Sequence, residues 1–170
     1  YSFPTRRSSD LYLTCDRVNG VLTVYTDSTM RIPIKTIRVS VGKAGTETPT
    51  GTWTMHRAGR WQELMGPSWG QYGTHVVNGI FVHSVACGQA NSYNLPVGEY
   101  LRLGNPASHG CIRACVADAK WVWDNCNGSK IHIFDGTYTS NEALKGPLGR
   151  KALTPLRGSK NFDPTDPACK

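Results

Sequence analysis

Residues 18–26, VNGVLTVYT, alternate apolar and polar positions around Val21, Leu22, Val24 and Tyr25, the two-residue period of a half-buried strand. Asp27-Ser28 suits a turn, and residues 30–41, MRIPIKTIRVSV, supply a second β-rich run that completes a hairpin. Pro33 lacks a backbone donor, which predicts an edge position or a bulge for that run. A Gly/Thr/Pro loop over 42–51 separates it from a new strand at 52–57, TWTMHR. Residues 57–73, RAGRWQELMGPSWGQYG, are rich in Gly and aromatics without a clean period and predict an irregular hairpin or flap. Residues 74–83, THVVNGIFVH, predict one strongly apolar central strand, and 86–107 are polar and turn-rich apart from a short segment, Tyr100 to Leu103.

One helix is predicted, residues 116–126, where Val116, Ala119, Val122 or Trp123, and Cys126 recur at three- and four-residue steps. Asp118 falls in its first turn, where the helix dipole favours a carboxylate, and Asn127-Gly128 closes it. Lys130 to Asp135 predicts a final strand. Residues 136–170, dominated by Gly, Pro, Thr and Lys, predict an extended tail, packed on the domain or partly disordered. The fold class that results is mainly β with one main α-helix.

The remaining properties narrow this picture. At 170 residues the chain suits one domain with a real core, and no apolar run approaches the ~20 residues needed to span a bilayer. The formal net charge of +7 is compatible with solubility alone or with an anionic partner. No Lys/Arg run interleaved with aromatics and no zinc-finger or RNA-binding signature occurs, so nucleic acid is not an expected partner. Residues 1–11, YSFPTRRSSDL, resemble the translation of a sequencing-adapter oligonucleotide and are set aside; the natural N-terminus is expected to lie outside this chain. Six cysteines (15, 87, 111, 115, 126 and 169) admit disulfides, with no pairing fixed by sequence.

The densest chemical cluster is Ser108-His109-Gly110-Cys111-Ile112-Arg113, with His83-Ser84 at the end of the apolar run. A free thiol is only a few per cent ionised at pH 7, and a histidine within hydrogen-bond reach corrects that. Gly110 allows a tight turn, and the N–H groups of Gly110 and Cys111 can serve a developing oxyanion. Arg113 is a fixed cation two residues from the thiol, suited to a substrate carboxylate. A lone Cys is more often buried and inert; the polar residues clustered here favour chemistry.

His83-Ser84 followed by S-H-G-C-I-R resembles the catalytic signature of the L,D-transpeptidase domain family (YkuD-like). Gly42 and Thr48-Pro49-Thr50-Gly51 resemble its T-P-x-G segment, and the likeness covers about residues 12–135. It implies a β-sandwich-type catalytic domain with Cys111 as nucleophile, His83 as base and Ser84 orienting that base. His109, Gly110 and Cys111 would shape the oxyanion site, and Ser108 and Arg113 the substrate pocket. Residues 57–73 would form a flap with Trp61, Trp69 and Tyr72 lining the cleft. The 24 residues between His83 and Ser108 exceed the usual spacing, so an insertion over about 88–102 is expected to loop out. The implied reaction is acyl transfer from a peptidoglycan tetrapeptide stem to an amine, through a thioester, outside the cytoplasm. No metal or organic cofactor is implied; carbapenem β-lactams are implied as covalent inhibitors, and a monomer is expected.

Three alternatives remain open at this level. Water as acceptor makes the same site an L,D-carboxypeptidase. A silent wall-binding module needs no thiol chemistry. A structural zinc site could draw on Cys111, Cys115, His109 and His83, although H-x-C-x3-C is not a usual zinc spacing. His56, His75 and His132, in predicted strands, read as structural.

Overall fold

The computed structural model describes residues 7–158 and 161–169; most of the segment set aside, residues 1–6, lies outside them. Among these residues eleven strands build two sheets and a hairpin. The first sheet, in the order β3-β2-β1-β11-β4, holds β1 (Tyr12–Asp16), β2 (Val21–Tyr25), β3 (Pro33–Arg38), β4 (Gly51–Thr54) and β11 (Lys130–Phe134). The second, β10-β9-β8-β5, holds β5 (His56–Arg57), β8 (Thr74–Val77), β9 (Ile80–Ser84) and β10 (Ile112–Ala114). β6 (Trp61–Leu64) and β7 (Ser68–Gln71) form a separate hairpin. Among the described residues there are two α-helices, α1 (Val97–Leu101) and α2 (Val116–Asn125), and two short 3-10 turns. No described helix is long and apolar enough to cross a membrane.

One hydrophobic core fills the space between the sheets. Leu13, Leu22, Val24, Ile37, Ile131 and Ile133 from the first sheet meet Val82, Ile112 and Ala114 from the second, with Val122 of α2 packed among them. Met55, fully buried, is where the chain passes from β4 to β5 and so from one sheet to the other. The predicted hairpin forms as β2–β3; Pro33 sits on the edge strand β3, opposite a register irregularity at Val24/Tyr25. Beyond β3 the chain crosses sheets, because Ser40 and Arg113 exchange both backbone hydrogen bonds at 2.9 Å.

Several elements differ from expectation. The apolar run 74–83 is two strands, β8 and β9, reversed at Asn78-Gly79 with Asn78 in a left-handed conformation; Asn-Gly between apolar runs is a hairpin signal that outweighs the continuity of the run. Residues 12–16 form β1, which lies between β2 and β11, and Leu11, inside the segment set aside, is buried in the core. The helix appears as predicted, with Val116, Ala119 and Val122 buried and Gly128 at φ +87° beyond its end. Its N-terminal donors are satisfied from a distance: Val116 N–H donates to Asp163 Oδ2 at 2.8 Å and Ala117 N–H to Thr165 Oγ1 at 3.1 Å.

Those two acceptors belong to the tail, which is packed against the domain. Arg150 is buried and donates to the carbonyls of Asn19 and Gly104 while paired with Glu142; this pairing holds the Glu142 carboxyl down at about 2. Leu153 and Leu156 pack on a small second core of Val85, Leu95, Tyr100 and Leu103, and Tyr100 Oη donates to the carbonyl of Thr154. The expected loop-out over 88–102 is therefore folded, with α1 inside it and Tyr100 fully buried.

Candidate active site

β9 and β10 run parallel, with Ile112 opposite Val82, Arg113 opposite His83 and Ala114 opposite Ser84. This register, which no local pattern specifies, brings the His83 and Cys111 segments together across the long insertion. A cleft of about 80 Å³ opens there, lined by His83, Ser108, His109, Cys111 and Arg113, with Leu64, Met65 and Ser68 of the hairpin on the opposite wall.

His83 is 1% exposed. Its Nδ1 is hydrogen-bonded to the carbonyl of Ser84. A carbonyl only accepts, so Nδ1 carries the hydrogen and Nε2 keeps its lone pair. Burial lowers the pKa of His83 from 6.5 to about 4, with the Arg113 charge acting in the same direction, so the ring is neutral at neutral pH. The Ser84 hydroxyl does not reach the ring in this arrangement. It accepts the backbone N–H of Gln71 at 2.8 Å and so ties β9 to β7. β7 lies close over the imidazole: a Cβ added at Gly70 would stand 2.6 Å from His83 Nδ1. A Gly inside a strand marks such close approach.

Cys111 is half-buried, just before β10. Its Sγ accepts the Phe81 N–H at 3.4 Å and faces the Gly79 carbonyl at 3.5 Å. Burial raises its thiol pKa, while the Phe81 N–H and Arg113 pull it down. A neutral thiol and a neutral imidazole thus line the same cleft at rest, a pair suited to proton transfer as an electrophile arrives.

The turn before Cys111 is tightly built. Ser108 is buried; its Oγ donates to the Cys111 carbonyl at 2.5 Å and accepts the Gly110 N–H at 3.1 Å. The Gly110 N–H is therefore engaged within the turn rather than turned to the cleft, a correction to its expected part in an oxyanion site. Gly110 has φ +127°, and a Cβ there would meet Ile80 at 2.8 Å. The Thr-Pro-Thr-Gly segment finds its purpose here: buried Thr48 accepts the Gly42 N–H at 2.9 Å and donates to the Gly110 carbonyl at 2.6 Å. His109 is exposed at the cleft rim.

Arg113 lines the cleft, but its Nη1 already donates to Glu99 Oε2 at 2.9 Å, a partner supplied by α1 of the insertion. The aromatic lining expected from the flap is not what the hairpin provides. Tyr72 is buried away from the cleft, edge-on to Trp123 with ring centroids 5.5 Å apart and under the Arg60 guanidinium. Trp69 exchanges backbone hydrogen bonds with Cys87, and Trp61 packs beside Arg60; the cleft wall is Leu64, Met65 and Ser68 instead. Strand alternation sends neighbours to opposite faces, and aromatic content alone does not say which face is which.

The four candidate zinc ligands do not converge. Cys115 lines a different cavity and its thiol donates to Asp118 Oδ2 at 3.3 Å. Among the described residues no group of three or more His, Cys, Asp or Glu is arranged to hold a metal ion. All six cysteines are free thiols. His56, His75 and His132 lie in β5, β8 and β11, away from the cleft, and His132 Nδ1 meets Thr52 Oγ1 at 2.8 Å.

A two-sheet β domain that brings a thiol and a neutral, buried imidazole to one cleft under a hairpin has the make-up of an acyl-transfer domain. The family model of the L,D-transpeptidase catalytic domain (YkuD) matches residues 10–142, and the chain belongs to that family. The putative L,D-transpeptidase YciB of Bacillus subtilis (strain 168) is 59% identical over 27 residues, 16% of this chain and 14% of that protein. An L,D-transpeptidase from Mycobacterium tuberculosis H37Rv superposes with a TM-score of 0.58 at 19% identity, over 74% of this chain and 57% of that one. One from Mycobacterium smegmatis gives 0.56 at 21% identity, over 74% and 59%. An L,D-transpeptidase solved in complex with imipenem gives 0.55 at 22%, over 73% and 58%. At these identities the likeness to the solved structures is one of fold, and the chain spans less than two thirds of each of them.

Proposed function

We propose that the chain is an L,D-transpeptidase that forms peptidoglycan cross-links through a thioester on Cys111. Cys111 Sγ attacks the amide carbonyl between the third, L-centred residue and the terminal D-residue of a tetrapeptide stem, and its proton passes to His83 Nε2. The tetrahedral oxyanion is held by the backbone N–H of Cys111, since that of Gly110 is bound to Ser108. Collapse expels the D-residue, whose amine takes the proton from His83. An amine on a neighbouring stem then attacks the thioester, His83 accepts its proton, and the thiol is restored as a 3→3 cross-link forms. Arg113 and Ser108 shape the donor pocket, and the substrate implies work outside the cytoplasm.

The observation that carries this reading is the single cleft shared by the Cys111 thiol and the His83 ring, whose Nδ1 is fixed on the Ser84 carbonyl. The experiment is intact-protein mass spectrometry with imipenem, followed by incubation with disaccharide-tetrapeptide. One covalent adduct on the parent, none on Cys111→Ala, and dimeric cross-linked product are expected. A folded, reduced parent that takes no adduct removes the proposal; tripeptide product without dimer assigns water as the acceptor.

A further inference from the structure

The family match ends at residue 142, yet the segment 161–169 reaches β7, the strand whose Gly70 backbone lies against His83. Asp163 and Thr165 bind the first two N–H groups of α2, and the Asn161 carbonyl accepts the Leu95 N–H of the insertion at 3.1 Å. Just beyond these anchors Asp166, 3% exposed, accepts the Ala168 N–H on Oδ1 and the Gln71 side-chain amide on Oδ2, both at 2.9 Å. Gln71, also 3% exposed, uses its Oε1 to accept Arg60 Nη1 at 2.9 Å and its backbone N–H to reach Ser84 Oγ. The next residue back, Gly70, is the one whose backbone lies against the His83 ring.

We propose that this C-terminal strap is a working part of the active site, with Asp166 a positioning residue that acts through Gln71 to hold β7 against His83. The inference rests on the proposed Cys111–His83 chemistry. The strap fixes the Gln71 side chain, Gln71 fixes the height of β7, and β7 excludes water from the imidazole and keeps it on the Ser84 carbonyl. The Asp166–Gln71 and Gln71–Ser84 bonds are buried, and each sets a donor on an acceptor, so one inverted partner disturbs the path.

The test exchanges donor and acceptor in the full chain. D166N turns an amide donor on the Gln71 amide; Q71E sets a carboxylate against Asp166; the double variant D166N/Q71E restores the pairing in reverse and leaves Arg60 facing a carboxylate. His83 is read by nitrogen-detected NMR for tautomer and titration midpoint, and Cys111 by its rate of acylation with imipenem. Each single variant is expected to mix the His83 tautomers, raise the midpoint by about one unit as water enters and slow acylation about tenfold as the base drifts. The double variant is expected to recover all three. Gln71→Met, which keeps the backbone bond to Ser84 but loses the amide, should behave as the single variants and serves if they do not fold. Parent-like tautomer, midpoint and rate in the single variants or in Gln71→Met would overturn the proposal, as would a double variant that recovers thermal stability but not the His83 signature. A parent that imipenem does not acylate defeats the transpeptidase reading instead, and the NMR arm still decides the role of the strap.

Discussion

Two cysteines flank the three-residue strand β10, and their surroundings differ in kind. Cys111, before the strand, opens to a cleft; a backbone N–H points at its sulfur and the Arg113 charge favours its thiolate, opposing the effect of burial. Cys115, after the strand, faces the Asp118 carboxylate, and burial with that charge drives its pKa up to about 12. The residue type is the same and the separation is four positions. Reactivity is therefore a property of the local field and of access, set here by which end of one short strand the thiol occupies.

The largest effect that could break this contrast is complete loss of imipenem acylation in Cys111→Ala, measured by intact mass, with Cys115→Ala still labelled. A reversed pattern would abolish the distinction. Next in size, Gly70→Ala forces a methyl into the His83 ring and is expected to slow acylation about a hundredfold by displacing the base; overpacking should also lower stability by about 1–3 kcal/mol in urea unfolding. A parent-like rate would mean that β7 does not set the ring. Thr48→Val keeps the shape but strands the Gly42 N–H and the Gly110 carbonyl, at a cost of about 1–3 kcal/mol, read as a lowered denaturation midpoint.

The pH dependence sharpens the contrast on the side of Cys111. His83 titrates at about 4 folded against 6.5 unfolded, so between these values the unfolded chain binds a proton that the native chain does not. Stability is fully present above 6.5 and lost as pH falls towards 4. His83→Gln should flatten that part of the stability curve, and an unchanged slope would contradict the buried neutral ring. The smallest effect is expected at Cys115→Ala: about 1 kcal/mol or less of stability and no change in acylation rate.

The legible parts of the sequence were those with a local physical signature. The β2–β3 hairpin, α2 and β11 announce themselves by period, capping and turn residues, and S-H-G-C with Thr48-Pro-Thr-Gly marks the turn and the loop that clamps it. β1 and β10 carry little pattern of their own: β1 is paired on both sides inside its sheet, and β10 is only three residues long. The split of 74–83 has a local signal in Asn78-Gly79, masked by the apolar residues that run on either side of it. Nothing in Gln71, Glu99 or Asp166 taken singly distinguishes it from a surface polar residue; each gains its place from a partner 13 to 95 positions away.

By itself, then, the sequence determined the mainly β class, the helix, and the turn that presents Cys111, because each depends on side-chain period or backbone freedom within a few residues. Tertiary structure decided the parallel register of β9 and β10, the Glu99 partner of Arg113, the burial that makes His83 neutral, and the strap behind β7. These depend on desolvation and on contacts between distant segments, which exist only once the two sheets have closed on their common core.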